Sequence, residues 1–185
     1  MNSNVALSLI LLALAVIGIV GGTYWMDTMK QSLPRSQAIE QREEPMPAFS
    51  VTTIDGVLVD TDEVKGKPVI LNFWATWCPP CVYEFPSLVE LAKNNPDIWV
   101  IALSSDLEES TIMGFKSKLE SQMETPIPFN FLIARDPGQS ITEDVFGIYR
   151  LPESLLIDRD GMIRHKIAGA IDWTAPAVRT RIAGL

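Results

Sequence analysis

Cysteine and histidine are scarce in this chain, whose 185 residues contain two cysteines, Cys78 and Cys81, and one histidine, His165. A structural zinc site needs four ligands, which these three residues cannot supply. A c-type haem attachment is excluded because it needs histidine directly after the second cysteine, where Val82 stands. A purely structural disulfide is the remaining alternative, but it would close a short loop and restrain little of the chain. The pair therefore points to thiol–disulfide exchange.

Charge is absent from the N-terminal stretch, where no charged side chain occurs before Asp27. A helix formed by the apolar residues 5–26 would span roughly 33 Å at about 1.5 Å per residue, enough for a bilayer core of about 30 Å. Tyr24 and Trp25 would lie at the membrane interface. We therefore predict a transmembrane anchor over 5–26, after a short flank of residues 1–4. A cleaved signal peptide is the alternative, although the charged leading region of such a peptide is missing.

The segment 27–47 has few apolar residues and is rich in Gln, Glu, Ser and Pro, which predicts a flexible tether. The remaining residues, 48–185, have the size of one domain. The chain has a net charge of −8 and no basic stripe, which argues against nucleic acid as a partner. Lys30, Arg35 and Arg42 follow the predicted anchor, and by the positive-inside rule alone they favour a cytoplasmic domain.

Hydrophobic periodicity and turn residues predict a domain in which strands and helices alternate. The predicted strands are 49–53, 57–60, 68–74, 98–104, 129–134, 154–158 and 162–167. The predicted helices are one that begins after Cys78, one capped by Ser105 and Glu108, one capped by Ser140 and Glu143, and one with Pro176 in its first turn. This order favours an α/β fold with a central mixed sheet and helices on both faces.

The cysteine pair follows the apolar strand 68–74 and opens a helix. If Cys78 is the N-cap, its sulfur faces the amides of the first turn, where the helix dipole stabilises a thiolate. Pro80 has no N–H, so only Cys81 can donate a hydrogen bond to that sulfur. We expect a modest lowering of the Cys78 pKa, nearer roughly 7 than the roughly 3.5 of strongly oxidising proteins with such motifs, and hence a reducing couple.

Two motifs resemble the membrane-anchored thioredoxin-like proteins of the TlpA, ResA and CcmG (DsbE) type. The first comprises the segments 65–68, 72–81 and 84–86, which read KGKP, NFWATWCPPC and EFP. The second is the segment 152–158, PESLLID, followed by Gly161. The resemblance implies a thioredoxin fold with an N-terminal β-hairpin extension.

Members of this group face the periplasm or the outer side of the bacterial cytoplasmic membrane. The resemblance therefore implies a single-pass membrane protein with an extracytoplasmic domain, against the charge rule. It also implies a reductant of protein disulfides, with apocytochrome c among the substrates and a membrane thiol–disulfide carrier as the electron donor. Cytochrome c maturation is the pathway that this implies. No cofactor is expected besides the redox-active disulfide.

The resemblance assigns roles to five residues around the motif. Cys78 is the expected nucleophile that forms the mixed disulfide, and Cys81 is the expected resolving thiol. Pro152 is expected to be a cis-proline facing the disulfide, where the backbone of Leu151 could pair with an extended substrate strand. Trp77 is expected to be a flat apolar neighbour that contacts the substrate peptide.

Glu84 is the further catalytic candidate. Ordinary thioredoxins carry a buried aspartate at the position that Asn72 occupies here, whereas Glu84 lies three residues after Cys81 on the same helix face. If partly buried, Glu84 would have a raised pKa and could accept or return the Cys81 proton. The alternative is a solvated glutamate on the second helical turn.

Two other functions remain open at this point. An oxidase or isomerase of the same fold would need a destabilised disulfide, and Pro79 and Pro80 offer no obvious source of one. A copper metallochaperone would hold the ion on the two thiols, with His165 as the available additional ligand.

Overall fold

A computed structural model describes residues 38–62 and 64–185. In this part of the chain, six strands form a mixed sheet in the order β1-β8-β7-β4-β5-β6, and β2 and β3 form a separate hairpin. The strands are β1 (Ala38–Pro45), β2 (Ser50–Thr52), β3 (Leu58–Asp60), β4 (Val69–Trp74), β5 (Trp99–Ser104), β6 (Phe131–Arg135), β7 (Glu153–Ile157) and β8 (Met162–Ala168). The helices are α1 (Pro79–Asn94), α2 (Glu109–Met123), a π-helix (Ser140–Val145) and α3 (Pro176–Ile182).

β4 is the central strand that delivers the cysteine motif. All six of its residues are buried, as expected for an apolar strand covered on both faces. It pairs in parallel with β5 and antiparallel with β7. The chain leaves the carboxyl end of β4 and enters α1 within a few residues, so Cys78 lies at the edge of the sheet where α1 begins.

The two faces of the sheet are covered differently. One apolar cluster combines Ile70 and Trp74 of β4 with residues of all three α-helices, including Phe85 of α1. The other cluster combines Phe73 with the hairpin and with Phe146, which follows the π-helix. Burial of an aromatic side chain such as Phe85 contributes roughly 1.5–3 kcal/mol, and this packing fixes α1 against the sheet. The helical coverage of the two faces is thus unequal, with the α-helices sharing one face and the π-helix on the other.

The prediction of a flexible tether is wrong for residues 38–45, which form β1. β1 pairs antiparallel with β8, with Ile39 opposite Ile167. Backbone hydrogen bonds hold most of this strand, and Ile39 is the one large apolar side chain that packs on the core, so composition gave little sign of it. Its charges suit an exposed edge. The Arg42 guanidinium forms salt bridges to the Glu40 and Glu44 carboxylates, with N–O distances of 3.0 and 3.5 Å. The folded domain therefore begins before residue 48.

Both predicted capping boxes are wrong. α2 begins at Glu109, and its N-cap Glu108 makes no side-chain capping bond. The segment predicted as a short helix capped by Ser140 is a π-helix. Its Ile141 and Thr142 amides donate to the carboxylate of Asp136, which lies before the helix. The cap is therefore a residue of the preceding turn.

The predicted flank 1–4, the anchor 5–26 and the first part of the tether lie outside the described residues. Within the part that the structure does describe, no helix combines the length and the hydrophobicity needed to cross a bilayer.

Candidate functional site

Cys78 and Cys81 form a disulfide at the start of α1, with Cα atoms 5.3 Å apart. Cys78 is the N-cap of the helix, in extended conformation, and its Sγ accepts a hydrogen bond from the Cys81 amide over 3.3 Å. Pro79 and Pro80 occupy the first two helical positions and have no N–H to donate. Only one amide of the first turn therefore reaches the Cys78 sulfur, as the sequence predicted.

The two sulfurs differ in their access to solvent. Cys78 retains 6% of its surface exposed, whereas Cys81 is fully buried. An incoming disulfide can therefore approach Cys78 but not Cys81. This difference is consistent with Cys78 as nucleophile and Cys81 as resolving thiol.

A shallow cavity of about 280 Å³ opens beside Cys78. The residues that line it are Trp77, Cys78, Pro79, Gln139, Ile148, Tyr149 and Leu151. Trp77 and Tyr149 are 64% and 75% exposed and present flat apolar surface beside Cys78. The Leu151–Pro152 peptide bond is cis, as the resemblance implied. Within the described residues the Leu151 backbone makes no hydrogen bond, so it is available to an extended peptide.

Glu84 lies one helical turn after Cys81 and is only 2% exposed, which is deeper than the partial burial expected. Its Oε1 accepts from Asn72 Nδ2 over 3.0 Å. Its Oε2 accepts from the Ile171 amide over 3.0 Å and from Trp173 Nε1 over 3.3 Å. Burial raises the pKa of Glu84 to about 7, and these three hydrogen bonds offset only part of that rise.

Asn72 joins Glu84 to the strand that follows the cis-proline. Its Nδ2 also donates to Ser154 Oγ over 2.9 Å. Among the described residues, none donates a hydrogen bond to Asn72 Oδ1, although the whole side chain is buried. A rotation of the amide would turn this oxygen toward Glu84 as an acceptor, so the same side chain can serve the charged and the protonated carboxyl group.

A second buried carboxyl group supports the loop in front of Cys78. Asp106, which follows β5, accepts from the Thr76 amide over 2.8 Å and from Thr76 Oγ1 over 2.6 Å. Ser104 Oγ donates to the same carboxylate over 2.6 Å. These bonds tie the segment between β4 and α1 to the neighbouring strand.

Several residues of the site were not found by sequence reasoning. They come from parts of the chain remote from the cysteine motif and are Asp106, Gln139, Tyr149, Ile171 and Trp173. Trp173 is fully buried, and a tryptophan just before a short terminal helix was the one signal that could have drawn notice. The others carry no motif.

No group of three or more His, Cys, Asp or Glu side chains within 38–62 and 64–185 is arranged to hold a metal ion. His165 lies on β8 and lines a cavity with Arg42 and Arg181, whereas Cys78 lines the cavity beside Trp77. The cysteines bring together an accessible sulfur, a buried partner sulfur and a nearby buried carboxyl group, which suits disulfide exchange.

Comparisons with known proteins agree with this geometry. The redoxin family profile matches residues 41–182. The chain is 32% identical over 171 residues to the thiol-disulfide oxidoreductase ResA of Bacillus thuringiensis, covering 91% of each chain. It is 34% identical over 132 residues to the thiol:disulfide interchange protein DsbE of Pseudomonas aeruginosa, covering 70% of this chain and 67% of that one.

Among solved structures, a DsbE-type thiol:disulfide interchange protein from Chlorobium tepidum matches with a TM-score of 0.66 and 26% identity. The match covers 77% of this chain and 96% of that chain, which confirms the thioredoxin fold with its mixed sheet and helices. The chain therefore belongs to the redoxin family and is a thiol–disulfide oxidoreductase of the ResA and DsbE type, with Cys78 and Cys81 as its cysteine pair.

Proposed function

We propose that this protein is a membrane-anchored, extracytoplasmic reductant of protein disulfides that acts in cytochrome c maturation. The observation that carries the proposal is the Cys78 sulfur with a single amide donor, beside an exposed apolar cavity. A sulfur with one donor gains little stabilisation as a thiolate, which makes the dithiol form a good electron donor. Residues 5–26 supply the anchor in this proposal, and the resemblance to the TlpA, ResA and CcmG group supports the outward orientation.

The reaction begins from the dithiol form of the protein. The Cys78 thiolate attacks one sulfur of a substrate disulfide and forms a mixed disulfide, while the other substrate sulfur leaves as a thiolate. The Cys81 thiolate then attacks Cys78 Sγ, which releases the second substrate sulfur. Two electrons pass to the substrate and the Cys78–Cys81 disulfide is formed. A membrane thiol–disulfide carrier returns two electrons to the pair.

Glu84 is the proton carrier for the second step in this scheme. Cys81 must lose its proton inside the protein before it can attack, and no solvent reaches its sulfur. A carboxyl group with a pKa of about 7, one helical turn away, can accept that proton near neutral pH. The Asn72 amide has a donor for the carboxylate and an acceptor for the protonated form.

The substrate binds, in this proposal, as an extended segment across the cavity. Trp77 and Tyr149 contact its apolar side chains, and the Leu151 backbone pairs with its main chain next to Pro152. An unfolded apocytochrome c has such a segment around its two haem-binding cysteines, whereas a folded protein would have to open first.

The reduction potential of the full-length protein in detergent tests the direction of the reaction. A value near or below roughly −270 mV supports a reductant, and a value near roughly −120 mV would instead make the protein an oxidase. The substrate class is tested by trapping: Cys81→Ser should form a stable mixed disulfide with an oxidised apocytochrome c segment, and Cys78→Ser should form none. Equal trapping of unrelated disulfides would contradict the proposed pathway but not the reductant activity.

A further inference from the structure

The loop that carries Cys78 is held from the side by Asp106. This residue is 3% exposed and lies two residues after the end of β5. Its Oδ2 accepts from the Thr76 amide and from Ser104 Oγ, and its Oδ1 accepts from Thr76 Oγ1. The Asp106 amide in turn donates to Ser104 Oγ over 3.1 Å. Both oxygens of the carboxylate are therefore used, and Thr76 is bound through its backbone and its side chain together.

The backbone adds two further attachments to the same loop. The Ser105 amide donates to the Trp74 carbonyl over 3.0 Å, and the Cys78 amide donates to the Ala75 carbonyl over 3.2 Å. The chain between β4 and α1 is thus fixed at Trp74 and at Thr76 before it reaches Cys78. Because Thr76 lies only two residues before Cys78, its position determines where the first turn of α1 begins.

Cys78 is sensitive to this position because its sulfur has few donors. The single hydrogen bond from the Cys81 amide is 3.3 Å long, and the two prolines between them supply none. A small displacement of the loop would weaken that bond, and no second amide of the turn could replace it.

We propose that Asp106 is a positioning residue for the thiol–disulfide exchange, acting through Thr76. Its carboxylate holds the loop so that Cys78 Sγ stays aimed at the Cys81 amide and at the cavity beside Trp77. Asp106 touches neither substrate nor sulfur in this role. The inference rests on the proposed role of Cys78 as the nucleophile.

A different reading of the same geometry treats Asp106 as a negative charge near the thiolate. The two readings predict opposite results for Asp106→Asn, which removes the charge and keeps the shape. As a mere charge, Asp106 would disfavour the thiolate, so its removal would lower the pKa of Cys78. As a positioning residue it favours the thiolate, so the weakened loop would raise the pKa of Cys78.

The test compares three variants of the reduced full-length protein: Thr76→Val, Thr76→Ser and Asp106→Asn. The pH dependence of Cys78 alkylation reports the thiolate, and thermal unfolding reports stability. Thr76→Val keeps the charge of Asp106 and removes one hydrogen bond, so we expect a higher alkylation midpoint and a disulfide exchange rate reduced roughly three- to tenfold. Asp106→Asn should move the midpoint in the same direction. Thr76→Ser keeps the hydroxyl group and should rescue both readouts.

Two results would overturn the proposal. If Thr76→Val and Asp106→Asn lower the unfolding temperature but leave the alkylation midpoint of Cys78 unchanged, Asp106 has only a structural role. If Asp106→Asn lowers the midpoint while Thr76→Val leaves it unchanged, Asp106 acts as a charge. Should Asp106→Asn fail to fold, the Thr76 pair still decides the question. Failure of the proposed function is a separate result. In that case Cys78 of the parent protein is alkylated normally, but the parent protein reduces no protein disulfide.

Discussion

Glu84 and Asp158 are both buried acidic residues, yet the protein shifts their pKa values in opposite directions. Burial raises the pKa of Glu84 to about 7, and its three donors offset only part of that rise. Burial acts on Asp158 in the same sense, but the Met162 amide, the Arg164 guanidinium and the Asp160 amide outweigh it and lower the pKa of Asp158.

The difference lies in the partners and not in the number of hydrogen bonds. Each carboxyl group accepts three, but one of the Asp158 donors is the cation Arg164, whose Nε lies 2.6 Å from Oδ2. The donors to Glu84 are neutral, and within the described residues Glu84 makes no salt bridge. A charged partner fixes a carboxylate in its ionised form, whereas neutral donors leave it able to exchange a proton near neutral pH. Asp158 stabilises a turn, and Glu84 is suited to proton transfer.

The largest expected effect is on the rate at which Cys81 resolves a mixed disulfide. In Glu84→Gln this rate should fall roughly 100-fold or more, the usual contribution of a general base. In the parent protein the rate should rise with pH through about 7, where Glu84 loses its proton. The rate is measured by rapid quenching of a preformed mixed disulfide between pH 6 and 8.

Glu90→Gln is the matched control, because Glu90 is an exposed glutamate on the same helix. Its profile should follow that of the parent. A Glu84→Gln profile that keeps the inflection near pH 7 would refute the proposed proton transfer.

The second effect is on stability, and its sign follows from the raised pKa. The folded state of the parent holds a proton on Glu84 between the ordinary value of 4.5 and about 7, where the unfolded state has released it. The stability that this proton gives is complete below pH 4.5 and is lost as the pH rises through 7. Relative to Glu84→Gln, the oxidised parent should therefore lose up to about 3 kcal/mol of unfolding free energy between pH 4.5 and 8. Urea titrations across this range measure it, and a pH-independent difference between the two proteins would contradict it.

The smallest effect concerns Asp158, for which the sign is reversed. Its lowered pKa contributes stability that is present above its ordinary pKa, near 4, and is lost as the pH falls through the folded value. Arg164→Gln removes the cation, so the acid-induced loss of stability below pH 5 should become shallower. Arg159→Gln, an exposed arginine in the same turn, is the control. Acid unfolding followed by circular dichroism should differ between the two variants. Identical acid-unfolding curves would show that the amide donors alone keep the Asp158 carboxylate ionised.

The features that sequence predicted are those set by neighbouring residues. Three features follow from the thirteen consecutive residues 69–81: the buried strand β4, the position of Cys78 at the helix start and the single donor from Cys81. The position of Glu84 one helical turn after Cys81 follows from helical spacing alone.

What the sequence did not reveal depends on contacts between distant segments. Ile171 and Trp173 reach Glu84 from 87 and 89 residues away, and no spacing rule connects them. Asp106 was assigned to no role because a single aspartate after a strand carries no motif. β1 was missed for a related reason, since main-chain pairing with β8 leaves no pattern in the side chains of an edge strand.

The unequal access to the two sulfurs has a kinetic consequence. Of the two cysteines, Cys81 is fully buried and only Cys78 has exposed surface, so a protein that exchanges electrons with the pair must form its mixed disulfide at Cys78. The electron donor and the substrate of the proposed cycle cannot occupy that sulfur at the same time. They must therefore alternate in a ping-pong cycle, and an excess of either one excludes the other. The burial of one sulfur atom thereby sets the order of steps in the proposed electron transfer.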